Sequence, residues 1–118
     1  MPPQSEATPP AQIAVRQDRE AQVISVAGHL DLDTVGPLDE ALQRAASEGP
    51  HPVVIDLSGT DFADSSAVNV LLRAYSALGT GLRLVAPSPF LQRLFTLTGL
   101  DGVLPLYPSV PKAVGADA

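Results

Sequence analysis

The run "PVVIDL" constrains this chain more than any other segment, because Val53 to Leu57 is almost continuously apolar. A strand with one face in water alternates apolar and polar residues; a strand without that alternation must be covered on both faces, which is the habit of parallel strands joined by crossover helices. The flanking segments supply what such a strand needs. "QIAVRQ" and "QVISVAG", separated by "DRE", read as an antiparallel hairpin. After "GHLDLD", Thr34 is the expected N-cap of a helix with Val35, Leu38, Ala41, Leu42 and Ala45 inward, stopped by Gly49 and Pro50. A second helix follows "DFADSS" with Val68, Leu71, Leu72, Tyr75 and Leu78 on its stripe, ending at Gly79 and Gly81. "LRLVA" gives a further strand, and Ser88 caps "PFLQRLFTLTG", whose Phe90, Leu91, Leu94 and Phe95 are expected to face inward. "GVLPLY" closes as a short strand, with Pro105 favouring a sheet edge.

The order ββαβαβαβ(α) predicts one α/β domain with a mixed, mostly parallel sheet, an N-terminal antiparallel hairpin and right-handed crossovers. A chain of 118 residues holds one such core and not two. Residues 1–10, Pro-rich and without apolar periodicity, are expected to be a mobile tail; residues 11–108 form the domain, and 109–118 add a weak terminal helix that frays. No stretch approaches the ~18 apolar residues of a membrane span, and the N-terminus lacks the basic-then-apolar pattern of a secretory signal. With no cysteine there is neither a disulfide framework nor a thiolate metal site, which suits a cytoplasmic location.

Parallel second and third strands would place their following segments, "GHLDLD" and "SGTDFADSS", at the same end of the sheet, where open α/β sheets present their sites. Asp31, Asp33, Asp61, Asp64, Ser65 and Ser66 then share one surface. A net charge of −6 with a single lysine, Lys112, argues against direct nucleic-acid binding and for a protein partner with a basic face. His29, Asp64 and Ser65 are the residue types of a hydrolytic triad, but no "GxSxG" elbow accompanies them, and His29 reads as a solvated loop residue. His51 reads as a residue leading into a strand. Acids at strand ends resemble a receiver of phosphoryl groups, yet the lysine such receivers need at a later strand end is missing, as are "GxxxxGK[ST]" and "GxGxxG" loops. The chain therefore reads as a non-enzymatic protein without cofactor or metal.

It could still accept a phosphate from another protein. Helix-initial N–H groups lack intrahelical partners, so a serine there is ordinarily a cap; they also tolerate an anion, so a phosphoserine of charge about −1.5 to −2 would leave the fold intact while changing its surface. From the pattern alone both readings of Ser65 stand.

"VVIDLSGTDFADSSAVNVLLRAYSAL" resembles the signature of STAS domains, specifically bacterial anti-sigma factor antagonists. "ISVAGHLDLDT" is similar to that family's "GxLD" segment, and "LRLVAPSPFLQRLFTLTGLDGVLPLY" to its strand, helix and last strand, so the resemblance spans Ile13 to Tyr107. It implies an interaction protein that binds an anti-sigma factor, usually a serine kinase with a GHKL-type ATP site, and so frees a sigma factor. Phosphorylation of the first serine of the motif, here Ser65 with Ser66 as the second candidate, weakens the complex, and a serine phosphatase restores it. Asp31 matches the partner-facing acid of "GxLD" and is expected to add little to folding. Asp64, Ser66, Ala67, Asn69 and Arg73 complete the expected partner face. The family's "DSSG" is "DSSA" here, which puts the Ala67 methyl near the acceptor, where a kinase would approach. Phe62 and Phe95 are expected to pack under the loops. The alternative within the same fold is a STAS scaffold in a stress-signalling or lipid-transporter complex, without a phosphorylated serine.

Overall fold

The apolar run becomes the central strand of a five-stranded sheet. A computed structural model describes residues 11–49, 51–86 and 88–115; the N-terminal tail expected to be mobile lies outside the described residues. The elements in chain order are β1 (Gln12–Asp18), β2 (Ala21–Leu30), α1 (Gly36–Ser47), β3 (Val53–Ala63), α2 (Ser65–Leu78), β4 (Leu82–Val85), α3 (Pro89–Thr98), β5 (Leu106–Tyr107) and α4 (Val110–Val114). The sheet order is β1-β2-β3-β4-β5, with β1 antiparallel to β2 and the remaining pairs parallel. β1 and β2 are joined across Arg19 and Glu20, Arg19 taking a φ of 57° in the tight turn.

Val53, Val54, Ile55 and Leu57 are all fully buried, but their two faces are covered differently from expectation. Strands added in one direction by right-handed crossovers leave every crossover helix on the same side. Accordingly Val53, Ile55 and Leu57 join one large core with Leu38 and Leu42 of α1, Leu71 of α2, and Leu91 and Phe95 of α3. Val54 points the other way, into a small second core with Val23, Val85 and Ala113. That second cover is α4, not a crossover. Residues 109–115, expected to fray, are therefore structural: Ser109 caps α4, Ala113 is fully buried, and Arg83, only 3% exposed, donates from Nη1 to the Ala113 carbonyl at 2.8 Å.

Thr34 is not the cap of α1. The helix starts at Gly36 with Val35 as N-cap and no side-chain cap bond, and Pro37 sets its first turn. Thr34 is instead fully buried, its hydroxyl donating to the His29 carbonyl at 2.7 Å and accepting the Asp31 N–H at 2.9 Å. Ser88 does cap α3, accepting from the Leu91 N–H, and Gly99 at φ 78° ends it. β5 is a two-residue edge strand, and the carbonyl of Pro105 before it accepts the Leu84 N–H.

Candidate functional site

The segment "SGTDFA", expected as a loop, is the second half of β3. Pairing with β2 runs Ser25–Asp56, Ala27–Gly59, His29–Phe62 and Leu30–Ala63, so β3 twice spends three residues against two on β2. Each extra residue is a bulge, which bends the strand without ending its pairing. Gly59 fits because a Cβ there would lie 3.1 Å from the Val26 carbonyl oxygen and 3.3 Å from the Ala27 Cα. Gly28, at φ 106°, takes a backbone conformation on β2 that side chains disfavour. His29 is thus a strand residue, cross-strand partner of Phe62, rather than a loop residue.

The paired strands deliver the acids and serines side by side. The Asp64 N–H donates to the Leu30 carbonyl at 3.1 Å, which fixes the start of α2 against the end of β2, one residue from Asp31. Asp64 is the N-cap of α2: its backbone is extended, and its Oδ1 accepts the Ser66 N–H at 2.8 Å. The cap is made by the acid, not by a serine hydroxyl. Ser65 follows as the first helical residue, exposed, and Ser66 is half-buried.

Asp31 does more than face outward. Its Oδ1 accepts the Asp33 N–H at 2.9 Å and the Thr34 N–H at 3.1 Å, and lies 3.1 Å from the Thr34 hydroxyl. It bonds across the turn between β2 and α1, which weighs against the expectation that it adds little to folding. A short acceptor side chain two and three residues before free N–H groups is the usual origin of such a turn, and "DLDT" carried that signal.

Of the other expected site residues, Ala67 is misplaced. It is 1% exposed and its methyl belongs to the main core, away from the exposed face that carries Ser65. The buried residues of α2 are Ala67, Val68, Val70, Leu71 and Ala74, two of them alanines. Val68 is buried as expected, whereas Leu72, expected in the core, is 39% exposed. Leu72 falls on the face that carries Ser65 and Asn69, since positions i, i+4 and i+7 share one side of a helix. Asn69 is exposed about 6 Å along the axis from Ser65. Arg73 lies about 12 Å along. It reaches back to Asp39 of α1 at 3.3 Å, on the rim of a groove of ≈ 470 Å³ floored by Leu42, Val70 and Ala74.

Three rings, of His29, Phe62 and Phe90, complete this end of the molecule, and the two phenylalanines differ from the expectation that they are interior. Phe95 is fully buried, but Phe62 and Phe90 are 39% and 47% exposed. Their rings stack at 5.8 Å with an interplanar angle of 26°, and the His29 ring lies 5.8 Å from Phe62, tilted at 54°. His29 Nδ1 is 2.7 Å from Asp61 Oδ1. Leu91 and Phe95, four residues apart, define the buried stripe of α3, and Phe90, turned about 100° from Leu91, falls at its margin. His51 bonds through Nδ1 to the Gly49 carbonyl before β3, at the opposite end of the sheet. Among the described residues, no three of His, Asp or Glu converge to hold a metal ion, and no helix is long and apolar enough to cross a membrane.

Comparison with known proteins bears on what such a surface is for. Residues 13–106 match the family described as Mlab, STAS domain. The chain is 28% identical over 104 residues to the anti-sigma-F factor antagonist RsfB of Mycobacterium tuberculosis, covering 86% of this chain and 85% of the relative. It is 31% identical over 84 residues to the anti-sigma-B factor antagonist of Staphylococcus epidermidis, covering 69% and 78%. The crystal structure of an anti-sigma factor antagonist from Mycobacterium paratuberculosis superposes with a TM-score of 0.83 at 35% identity, covering 88% of this chain and 91% of that one.

Proposed function

Because this chain belongs to the STAS-domain family of bacterial anti-sigma factor antagonists, we propose that it works by partner switching. Unphosphorylated, it binds an anti-sigma factor in the cytoplasm and so releases a sigma factor; phosphorylated on Ser65, it lets the anti-sigma factor go. The anti-sigma factor is a serine kinase with a GHKL-type ATP site, and a serine phosphatase resets the switch. The kinase supplies nucleotide and catalytic groups. This chain supplies the acceptor oxygen, which displaces ADP from the γ-phosphorus while the hydroxyl proton passes to the kinase.

The observation that carries this reading is the position of Ser65: exposed at the first turn of α2, directly after an acid that already makes the cap. Modification there has no cap bond to break. The helix start favours the incoming anion, while Asp31 and Asp64 nearby are like charges that make the face strongly negative. A docked partner then loses its fit through charge and bulk, without any rearrangement of the sheet. Asp31, Asn69, Leu72 and Arg73 are proposed as contacts around that switch.

The test is to incubate wild type, Ser65→Ala and Ser66→Ala with the cognate anti-sigma kinase and labelled ATP, then to measure incorporation and affinity. Labelling of wild type and Ser66→Ala but not Ser65→Ala, with tight binding retained by Ser65→Ala and lost by Ser65→Asp, is the expected pattern. Full labelling of Ser65→Ala would move the acceptor to Ser66. Binding with no labelling of any variant would favour the unphosphorylated scaffold.

A further inference from the structure

Among the described residues, seven large apolar side chains are exposed: Val15, Leu32, Phe62, Leu72, Phe90, Leu97 and Val103. Four of them, Leu32, Phe62, Leu72 and Phe90, lie in the segments that converge on Ser65: the turn after β2, the end of β3, α2 and the start of α3. Exposed apolar residues scattered singly need no explanation, but stacked rings rimmed by charge do. Phe62 precedes Ser65 by three residues on a hydrogen-bonded strand, and Phe90 comes from a different helix to stack on it. A fold that wanted only stability would bury Phe90 as it buries Phe95 on the same helix.

We infer that the Phe62–Phe90 stack, edged by His29, is the apolar anchor by which the anti-sigma factor holds this protein, distinct from the charge switch at Ser65. The inference rests on the partner-switching reading above. Charge decides between occupants. Asp61 pairs with His29 at the edge of the stack, and Asp31 and Asp64 follow directly on the ends of the same paired strands, so a second copy of this chain would bring like charges together across a two-fold axis, and an anionic lipid surface would be repelled. A protein with an apolar pocket rimmed by Arg or Lys matches both features. Aromatic residues packed into such pockets are the usual anchors of protein interfaces, with the charged rim supplying orientation and on-rate.

The experiment titrates the purified anti-sigma kinases of the source organism with wild type, Phe62→Ala, Phe90→Gln and Ser65→Asp, alongside unfolding curves of each. Phe90→Gln is included because an exposed position in the first turn of α3 tolerates a polar residue even if Phe62→Ala disturbs β3. Each aromatic variant is expected to lose about tenfold or more in affinity, chiefly by faster dissociation, with an unchanged unfolding midpoint for Phe90→Gln. In the Ser65→Asp background, Phe90→Gln is expected to lower the residual affinity by a similar factor, as independent contacts do. Wild-type affinity in Phe90→Gln would overturn the anchor while leaving the switch standing. Absence of any complex between wild type and these kinases would overturn the partner-switching reading and the anchor with it. A wild-type dimer in sedimentation that Phe90→Gln abolishes would reassign the patch to a second copy of the chain.

Discussion

Asp64 Oδ1 accepts the Ser66 N–H at 2.8 Å, and this single bond separates the fold of α2 from its chemistry. Since the acid caps the helix, Ser65→Ala is expected to change unfolding free energy by no more than about 0.5 kcal/mol. Asp64→Ala removes the cap and should cost roughly 1 kcal/mol, within the 0.5–2 range of lost N-caps. Urea unfolding of the two variants checks this, and equal losses would mean that the Ser65 hydroxyl shares the cap.

Asp31 has a structural role in the turn and a proposed role in recognition, which a substitution by alanine would confuse. Its Oδ1 holds two backbone N–H groups of the turn before α1, so Asp31→Ala should lower stability by about 1–2 kcal/mol. Asp31→Asn keeps an acceptor oxygen and removes the charge. It should unfold close to wild type yet bind a basic partner more weakly, most visibly at low salt. A stable Asp31→Ala would show that the turn closes without its side chain.

Leu71 and Leu72 are adjacent but belong to different surfaces, the first fully buried and the second 39% exposed. Leu71→Ala should cost about 2–5 kcal/mol. Leu72→Ala should cost no more than about 0.5 kcal/mol, with any deficit falling on partner affinity. Comparable destabilisation of the two would place Leu72 in the core after all.

The C-terminal helix can be tested by removing it. Deleting residues 109–118 uncovers Val54 and Val85 and takes the Ala113 carbonyl away from Arg83. A loss of roughly 2–4 kcal/mol is expected from the exposed apolar area and the orphaned guanidinium. Thermal unfolding unchanged by the deletion would show that α4 merely rests on the sheet.

The element order and the mixed sheet were legible because hydrophobic period, glycine stops and the Ser88 cap all agreed. Other features depended on distances along no single segment. That β3 continues through "SGTDFA" follows from pairing with β2, which local composition, rich in turn residues, does not encode. The alanines of α2 are buried beside larger residues, and their small apolar surface gives only a weak sequence signal of it. Phe62, Phe90 and Leu72 are large and apolar, which suggests burial, and only the fixed phase of each strand or helix shows that they are partly exposed. Arg83 lies within an apolar strand, and the carbonyl that receives it comes from a helix 30 residues later.

The bulged continuation of β3 has a thermodynamic consequence for recognition. A binding surface on a free loop must be ordered at the moment of encounter, at roughly 1–2 kcal/mol of backbone entropy per residue fixed. Here the backbone leading to Ser65 is already paired to Ala63, so that entropy is lost during folding rather than during docking. Association should therefore proceed close to rigid-body fit, with a small heat-capacity change set by the buried rings and little contribution from coupled folding. The proposed acceptor is offered on a stiff rail, and a kinase that must thread an extended peptide would find nothing here to unroll.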